Sequence, residues 1–332
     1  MMPKEERSYN VVVLGATGMV GKKVLELLFD PKNPFPIKTL QAVASQNSKG
    51  IPIDLKSSKE EIFATTFEEL DLSNVNIVFN ALKSEVTKQI MPQLLKSSAV
   101  IIDKSSLYRI DPAVPLIVSG VNDQISLLKG KKLIASPNCC VIPLVHVLSP
   151  LMNLRKIHRV VLSTYQSASG AGFAQMQNLK EESLTQSLND LKFNVIPKIG
   201  KIDRNSGNTD EEEKIAQETN KILKSEIAIS VTAVRVPVLI GHCICANIEF
   251  SEEISIEKIM LILKQSNCII IEETITPKEV EGQDQVYISR LRKDSSLDGK
   301  GVNLWITSDN IRRGAATNAV EIARKLIEYK II

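Results

Sequence analysis

The fold of this 332-residue chain is decided near its start by the stretch YNVVVLGATGMVG, residues 9–21. Its first six residues are mostly apolar and predict a fully buried strand. Gly15, Gly18 and Gly21 follow, and Met19 to Phe29 places apolar residues at helical spacing. A strand, a glycine loop and a helix in this order are typical of dinucleotide binding, because glycine lets backbone N–H groups approach a pyrophosphate at the helix N-terminus. A tight turn without a ligand is the alternative interpretation.

Outward from this stretch, apolar strands alternate with helices until about Val160, where longer β-rich segments begin. The alternation predicts an α/β fold with a parallel, doubly wound, Rossmann-like sheet. The later segments predict an α+β domain with a largely antiparallel sheet. The predicted strands are Tyr9 to Leu14, Thr39 to Ala44, Asn76 to Leu82, Val100 to Asp103, Arg159 to Tyr165, Ile227 to Val234, Cys243 to Phe250 and Val302 to Thr307.

The last helix is expected to return to the first domain. Ala316 to Tyr329 reads as a helix with an apolar face, so we expect a first domain of residues 1–137 plus 313–332 and a second of residues 138–312. Within the second domain, Thr209 and Glu212 have the spacing of a capping box and predict the start of a helix.

The composition excludes several classes of protein. Forty-one basic residues against 38 acidic ones leave a net charge of +3, which gives no reason to expect nucleic acid or an anionic membrane as a partner. No apolar run approaches the roughly 20 residues that span a bilayer, and Met1 to Arg7 lacks the apolar core of a signal peptide. We therefore expect a cytoplasmic protein with cysteines in the thiol form. The five cysteines (139, 140, 243, 245 and 268) have no zinc-ligand spacing, and no metal is expected.

Cys139 is the candidate nucleophile. It lies in the segment SPNCC, residues 136–140, just before the helix-like apolar run Val141 to Leu151. Unpaired N–H groups and the positive end of the helix dipole favour the thiolate there. With the glycine loop, such a thiol suggests that an acyl group passes through a thioester, to or from an aldehyde. For a lone cysteine, a buried apolar filler is the alternative. From the residues alone, either Cys139 or Cys140 fits the nucleophile.

The segment after the second predicted strand bears on the choice of nucleotide. An Asp or Glu there would hold the ribose hydroxyls of NAD, whereas residues 44–50 (ASQNSKG) contain no carboxylate. Ser45, Ser48 and Lys49 offer groups for a 2′-phosphate, so NADP is the expected cofactor. The expected contacts are Gly15, Thr17, Gly18, Met19, Val20, Ser45 and Ser48.

Several motifs, in a fixed order over almost the whole chain, resemble those of the bacterial aspartate-semialdehyde dehydrogenases. The blocks STYQSASGAG and RVPV with its following GH are much more specific than the glycine loop. The matching segments are residues 15–21, 105–109 (SSLYR), 137–139 (PNC), 163–172, 235–238, 241–242 and 303–318.

For catalysis, this resemblance implies three residues. Cys139 would form a thioacyl intermediate, Gln166 would orient that intermediate, and His242 would be the acid/base. An imidazole can exchange protons at cytosolic pH. Without the resemblance, His242 is only a plausible site position, while His146 reads as structural and His158 lies near a charged loop.

For binding, the resemblance implies charged partners for an anionic amino-acid substrate. Arg235 would pair with the α-carboxylate, Glu211 with the α-amino group, and Arg109 and Lys214 with phosphate. Arginine suits carboxylate and phosphate because its planar fork matches both. From the residues alone, Arg235 fits a surface ion pair, and Glu211 and Lys214 fit a solvated acidic face. The resemblance also puts Asn138 at the substrate and Ser169, Gly170 and Asn310 at the cofactor.

The implied reaction is the NADPH-dependent reductive dephosphorylation of 4-phospho-L-aspartate to L-aspartate 4-semialdehyde, a step toward lysine, diaminopimelate, threonine and methionine. Residues 138–312 would form the catalytic and dimerisation domain of a homodimer or homotetramer. One alternative is an acyl-phosphate reductase of the N-acetyl-glutamyl-phosphate type, although an acetylated amine needs no carboxylate such as Glu211. A second is a catalytically lapsed cofactor-binding protein, because Asn47 and Lys104 depart from the family pattern. Cys140 and Val141 also depart, since the family usually has small hydroxyl residues there.

Overall fold

The computed structural model describes residues 8–55, 61–180 and 190–332, so Met1 to Arg7 lies outside the described residues. The chain divides into two compact units, Met1–Pro137 with Ala315–Ile332, and Asn138–Gly314. In the described ranges, no helix combines the length and the apolar character needed to cross a membrane.

The first unit is built on short, buried, apolar strands. Its elements from the N-terminal segment are β1 (Tyr9–Leu14), α1 (Met19–Leu28), β2 (Ile37–Val43), β3 (Pro52–Ile53), β4 (Ile62–Phe63), β5 (Ile77–Asn80), α2 (Ser84–Leu94), β6 (Val100–Asp103), α3 (Ile125–Leu128) and β7 (Leu133–Ala135). A parallel sheet has the order β2-β1-β5-β6-β7, and β3 pairs with β4 in a small antiparallel ladder. The sheet grows from β1 in both directions, and in such sheets ligands bind beyond the carboxyl ends of the strands at the reversal point. The predicted parallel Rossmann-like sheet is confirmed.

The C-terminal helix, Asn318–Glu328, belongs to this unit. It packs against α1 and β6 through a buried apolar face. Asn318 fixes its beginning, because its Nδ2 donates to the carbonyl oxygen of Ile117 at 3.0 Å and its Oδ1 accepts from the N–H of Ser119 at 2.9 Å. The helix begins two residues later than predicted, since a π-helical turn, Arg312–Thr317, precedes it.

The second unit is a six-stranded mixed sheet with helices. Its elements are α4 (Val141–Met152), β8 (Ile157–Gln166), α5 (Phe173–Lys180), α6 (Asp210–Leu223), β9 (Ala228–Arg235), β10 (His242–Phe250), α7 (Ile256–Lys264), β11 (Ile269–Ile271), α8 (Pro277–Val280), β12 (Val286–Lys293) and β13 (Gly301–Ser308). The order is β11-β12-β13-β10-β8-β9, with antiparallel pairs in the centre and parallel pairs at both edges. The predicted largely antiparallel sheet is confirmed.

The strand register of this sheet gathers chemically active residues at one end. Gln166, the last residue of β8, pairs with Arg235, the last residue of β9. Cys243 of β10 pairs with Tyr165 of β8, so His242 lies at the same end of the sheet. Residues far apart in the chain therefore lie at the same end of the sheet.

Candidate active site

The glycine loop of the first unit has the geometry that a dinucleotide needs. The predicted contacts Gly15, Thr17, Gly18, Met19 and Val20 lie between the end of β1 and the first turn of α1. Gly15 has a φ of +76°, and a Cβ added at Gly21 would lie 2.1 Å from the carbonyl oxygen of Gly15. Gly18 is the N-cap of α1, and no side chain in the described segments caps it by a hydrogen bond. The N–H groups of the first turn have no intrahelical partner, so the loop fits a pyrophosphate.

Carboxylates lie near the predicted 2′-phosphate position, which the local sequence did not indicate. A short 3₁₀ turn after β2 begins just after Ser45, which is exposed, and ends at Ser48, which is half-buried. Lys49 forms an ion pair with Glu69, and Glu68 accepts a hydrogen bond from the same turn at 3.2 Å. Residues 44–50 contain no carboxylate, but the fold brings Glu68 and Glu69 to this turn from another part of the chain.

The turn that carries Cys139 is held by Asn138. The Oδ1 of Asn138 accepts from the N–H of Cys140 at 2.8 Å, and its carbonyl oxygen accepts from the N–H of Val141 at 3.0 Å. Its own N–H donates to the buried carboxylate of Glu218 at 2.6 Å. Because α4 begins at Val141 with Cys140 as N-cap, Cys139 lies just before the helix, where N–H groups favour a thiolate.

The two adjacent thiols differ in ionisation. Cys140 is fully buried, whereas Cys139 is partly exposed. A hydrogen bond to the Cys139 side chain, together with burial and the negative charge of Cys139, raises the pKa of Cys140 well above its ordinary value. Cys140 therefore keeps its proton and donates it toward Cys139. This geometry favours Cys139 as the nucleophile, a choice that the residues alone left open.

His242 lies beside this pair of cysteines, and its Nδ1 atom is engaged in a hydrogen bond. Its side chain is 1% exposed. The N–H of Ser167 donates to Nδ1 at 3.1 Å, and the Oγ of Ser167 lies 3.0 Å from the same atom. The buried Nε2 has no hydrogen-bond partner within residues 8–55, 61–180 and 190–332. A ring nitrogen of His242 and the Sγ atoms of Cys139 and Cys140 lie within 4.8 Å of one another.

Glu211 joins two further predicted residues to the cysteine turn. Its Oε1 accepts from Nδ2 of Asn138 at 2.9 Å and from Nε2 of the buried Gln166 at 3.1 Å. The predicted capping box of Thr209 and Glu212 is present at the start of α6 and fixes the turn from which Glu211 projects. The carboxylate is thus held next to Cys139.

Arg235 supplies positive charge to the same edge of the sheet. Its Nη1 donates to the carbonyl oxygen of Ser167 at 2.7 Å. Burial lowers the pKa of Arg235, and the charges of Cys139, Glu211 and Cys140 act in the opposite direction. The guanidinium therefore faces anionic groups rather than solvent alone, unlike the surface ion pair that the residues by themselves suggested.

Gly170 leaves room beside Arg235 and His242. A Cβ added at this position would lie 2.7 Å from Nη1 of Arg235 and 3.0 Å from Nε2 of His242. Both atoms belong to polar groups of the site, so a side chain at position 170 would displace them.

Ser169 and Asn310, both predicted cofactor contacts, form a buried network behind His242. Oδ1 of Asn310 accepts from the Oγ of Ser167 and the Oγ of Ser169, both at 3.2 Å, and from the N–H of Gly241 at 2.9 Å. The network orients the backbone on either side of the imidazole.

Two predicted phosphate ligands are engaged within their own segments. Arg109, in the first unit, is buried and donates to the carbonyl oxygens of Ser105 at 3.1 Å and Lys104 at 2.8 Å. Lys214 forms an ion pair of 3.1 Å with Asp210, one turn earlier on α6.

Three residues of the site were missed by sequence reasoning. Ser167 orients His242 and Arg235 through its backbone, Glu218 anchors Asn138, and a Cβ added at Gly314 would lie 3.1 Å from the Cβ of Cys139. Only Glu218 carries a signal, since it is an acidic residue among the apolar positions of α6.

A Rossmann-like sheet with an anion-binding glycine loop, and a second unit with a thiol beside a histidine, define a dinucleotide-dependent oxidoreductase. Comparisons with known proteins identify the family. Residues 10–127 match the family model "Semialdehyde dehydrogenase, NAD binding domain", and residues 148–313 match "Semialdehyde dehydrogenase, dimerisation domain". The aspartate-semialdehyde dehydrogenase of Rickettsia conorii is 44% identical, over 97% of this chain and 98% of its own. The chain belongs to the aspartate-semialdehyde dehydrogenase family, so the resemblance is confirmed.

Solved structures agree with this assignment. Aspartate semialdehyde dehydrogenase II from Vibrio cholerae, complexed with ASA, is 33% identical with a TM-score of 0.90, covering 97% of this chain and 99% of that one. Aspartate semialdehyde dehydrogenase with NADP from Candida albicans is 25% identical with a TM-score of 0.75, covering 98% and 100%. A nicotinamide dinucleotide cofactor is thereby confirmed, and NADP is consistent with the second structure.

Proposed function

We propose that this enzyme catalyses the NADPH-dependent reductive dephosphorylation of 4-phospho-L-aspartate to L-aspartate 4-semialdehyde, with Cys139 as nucleophile. The position of Cys139 carries the proposal. It lies at the start of α4, receives a hydrogen bond from Cys140, and has His242 and Cys140 atoms within 4.8 Å. The Vibrio cholerae relative complexed with ASA supports the choice of substrate.

Cys139 begins the reaction at the acyl phosphate. Its thiolate attacks the carbonyl carbon, the bond from carbon to the phosphate oxygen breaks, and inorganic phosphate leaves, so a thioester remains on Sγ. NADPH, when bound, supplies the hydride that reduces this thioester. His242 carries its proton on Nε2, because Nδ1 accepts from Ser167. Nε2–H stabilises the oxygen of the tetrahedral adduct while the C–S bond breaks, the aldehyde forms and Cys139 returns as thiolate.

The remaining charges bind the amino-acid part of the substrate. Arg235, whose guanidinium lies among Cys139 and Glu211, pairs with the α-carboxylate. Glu211 holds the α-amino group, and Gln166, which donates to Glu211 at 3.1 Å, orients the thioacyl group. Asn138 supports the substrate through the Cys139 turn. Lys214 would exchange Asp210 for phosphate on binding.

We propose NADP as the cofactor and assign separate roles to the two units. The glycine loop binds the pyrophosphate, with Ser45 and Ser48 toward the 2′-phosphate, and Arg109 assists substrate phosphate binding. Ser169, Gly170 and Asn310 border the nicotinamide. The second unit carries catalysis and dimerisation, which the matched dimerisation-domain model supports, and the assembly is a homodimer or homotetramer.

The N-acetyl-glutamyl-phosphate alternative is disfavoured by Glu211. Its carboxylate lies next to Cys139 through Asn138 and Gln166. A free α-amino group gives this negative charge a cationic partner, whereas an acetylated amine offers none.

One assay tests the proposal. Purified enzyme is given L-aspartate 4-semialdehyde, phosphate and NADP, and NADPH formation is followed by absorbance. We expect phosphate-dependent reduction with NADP, little with N-acetyl-glutamate semialdehyde, and none after Cys139→Ser. Turnover that is independent of phosphate, or that prefers the acetylated aldehyde, would overturn the assignment. Inactivity of folded, cofactor-bound enzyme would favour the lapsed-catalyst alternative.

A further inference from the structure

Glu218 is a fully buried carboxylate to which the proposed reaction assigns no step. It lies in α6 seven residues after Glu211, which is close to two helical turns, so both side chains leave the same side of the helix, about 10 Å apart along its axis. Its helical neighbours Ile215 and Ile222 are buried and apolar. Burial of a carboxylate in such surroundings is unfavourable unless strong hydrogen bonds compensate it. One of these hydrogen bonds comes from the turn that carries Cys139.

Asn138 joins both carboxylates of α6 to this turn. Its backbone N–H donates to Oε2 of Glu218 at 2.6 Å, a short contact typical of a charged acceptor, and its Nδ2 donates to Oε1 of Glu211 at 2.9 Å. Its Oδ1 accepts from the N–H of Cys140 at 2.8 Å. The residue before Cys139 is therefore fixed by its backbone and by its side chain, from two positions on one helix.

The two contacts differ once substrate is bound. Glu211 is half-buried and is assigned to the α-amino group, so the substrate ammonium competes with Nδ2 of Asn138 for this carboxylate. Glu218 is closed to solvent, so substrate does not displace Asn138 from it. During the reaction, the contact with Glu218 is therefore the one that continues to hold the cysteine turn.

We propose that Glu218 is a positioning residue for Cys139: its carboxylate holds the N–H of Asn138 and thereby keeps Sγ of Cys139 at the start of α4, aligned with the substrate carbonyl carbon. This role rests on the proposed function, in which Cys139 is the nucleophile. Glu218 transfers no proton and does not touch substrate, so its loss should lower kcat and leave the KM for substrate nearly unchanged. A displacement of about 1 Å in such a site can cost about 100-fold in rate.

Two substitutions that remove the same charge separate the hydrogen bond from the electrostatic effect. Glu218→Gln keeps an oxygen acceptor at the same length, whereas Glu218→Leu has a similar size and no acceptor. Thr219→Val is the matched control, because it removes a buried hydroxyl that donates within α6 to the carbonyl oxygen of Ile215 at 2.6 Å. Each variant is measured for kcat and KM with L-aspartate 4-semialdehyde, phosphate and NADP, and for thermal unfolding. The rate at which iodoacetamide alkylates Cys139 at neutral pH is followed by mass spectrometry.

We expect kcat to be about 100-fold lower in Glu218→Leu than in wild type, and Glu218→Gln to recover at least about 10-fold of this loss. Alkylation of Cys139 should be about 10-fold slower in the Leu variant than in the Gln variant, because Sγ moves away from the N–H groups that favour its thiolate. Thr219→Val should match wild type in kcat and in alkylation. Equal kcat in the Leu and Gln variants, or a loss confined to KM, would overturn the proposal.

If Glu218→Leu does not fold, Glu218→Asp decides the question. It keeps the charge but withdraws the carboxylate by one methylene, so we expect kcat to fall at least about 10-fold with KM nearly unchanged. A kcat equal to that of wild type would overturn the proposal.

Alkylation separates this proposal from the proposed function, because it does not require turnover. Slower alkylation in Glu218→Leu than in Glu218→Gln, with an inactive wild type, would support the positioning role and refute the proposed function. An active wild type, with equal alkylation and equal kcat in the two variants, would support the function and refute the positioning role.

Discussion

The backbone N–H of Ser167 donates a hydrogen bond to Nδ1 of His242 over 3.1 Å. An atom that accepts a hydrogen bond must present a lone pair, so the neutral ring carries its proton on Nε2. Since a backbone N–H cannot turn away, this tautomer is set by the chain itself. His242 therefore faces the cysteine pair as a proton donor in the proposed reaction.

Replacement of His242 tests this role. We expect His242→Asn to lower kcat by roughly 10²–10⁴-fold, the usual contribution of general acid/base catalysis. Ser167→Ala removes the hydroxyl but keeps the backbone N–H, so its loss should stay below about 10-fold. Both variants are compared by kcat and by thermal unfolding. A larger loss in Ser167→Ala than in His242→Asn, at equal stability, would contradict the backbone as the orienting group.

The two cysteines should respond differently to serine substitution. Cys139→Ser should abolish turnover, because a hydroxyl at this position is a far weaker nucleophile than a thiolate. Cys140→Ser should retain most of it, since the raised pKa of Cys140 keeps that thiol protonated. Steady-state kinetics and alkylation by iodoacetamide at neutral pH measure the difference. The reverse order of activities would show that Cys140 is the nucleophile.

Gly170→Ala should damage catalysis more than folding. The new Cβ would lie 2.7 Å from Nη1 of Arg235 and 3.0 Å from Nε2 of His242, so both groups must move. A displacement of about 1 Å in a catalytic site can cost about 100-fold in rate, and we expect a fall in kcat/KM of that order. At Gly172 an added Cβ meets nothing within 4 Å, but the φ is +109°. Gly172→Ala should therefore lower stability while activity is largely kept, and equal kinetics for the two variants would refute the steric argument.

Gly21→Ala should weaken NADP binding. A Cβ there would lie 2.1 Å from the carbonyl oxygen of Gly15, so α1 must shift away from the loop that its N-terminus completes. Overpacking of this kind costs about 1–3 kcal/mol, and we expect a rise in the Kd for NADP of at least about 10-fold by fluorescence titration. Gly130→Ala, at another glycine of the same unit with open space around it, is the control and should leave the Kd unchanged.

Most of the fold could be predicted from the pattern of apolar residues. Strands of a parallel sheet are buried on both faces, so each strand appears in the sequence as a continuous apolar run. Tyr9–Leu14 and Val100–Asp103 were predicted at their observed bounds. The ladder of β3 and β4 was missed, since two-residue strands carry no periodicity. The π-helical turn before the C-terminal helix was missed as well, because six residues are too few to show a spacing of apolar residues that differs from that of an α-helix.

The site was only partly accessible from sequence. Cys139 could be found from its place before a helix, but its partners depend on pairing between distant strands, and the register that sets Gln166 beside Arg235 leaves no local signal. A pattern of residue types does not report what backbone groups do, so the role of the Ser167 backbone could not be predicted. Lys214 is expected to bind phosphate, yet its ammonium group pairs with Asp210.

His146 should make the fold sensitive to acid. Burial, with the nearby charge of Arg313, lowers the pKa of His146 from 6.5 to about 3. Between these values the unfolded chain binds a proton that the folded chain does not, so stability is full above pH 6.5 and falls as the pH decreases. One such group lowers the free energy of unfolding by about 2 kcal/mol between pH 7 and pH 5. We expect His146→Gln to reduce the pH dependence of urea unfolding by that amount, whereas His158→Gln, at an exposed histidine, should leave it unchanged. Parallel pH profiles for wild type and His146→Gln would show that His146 does not carry this linkage.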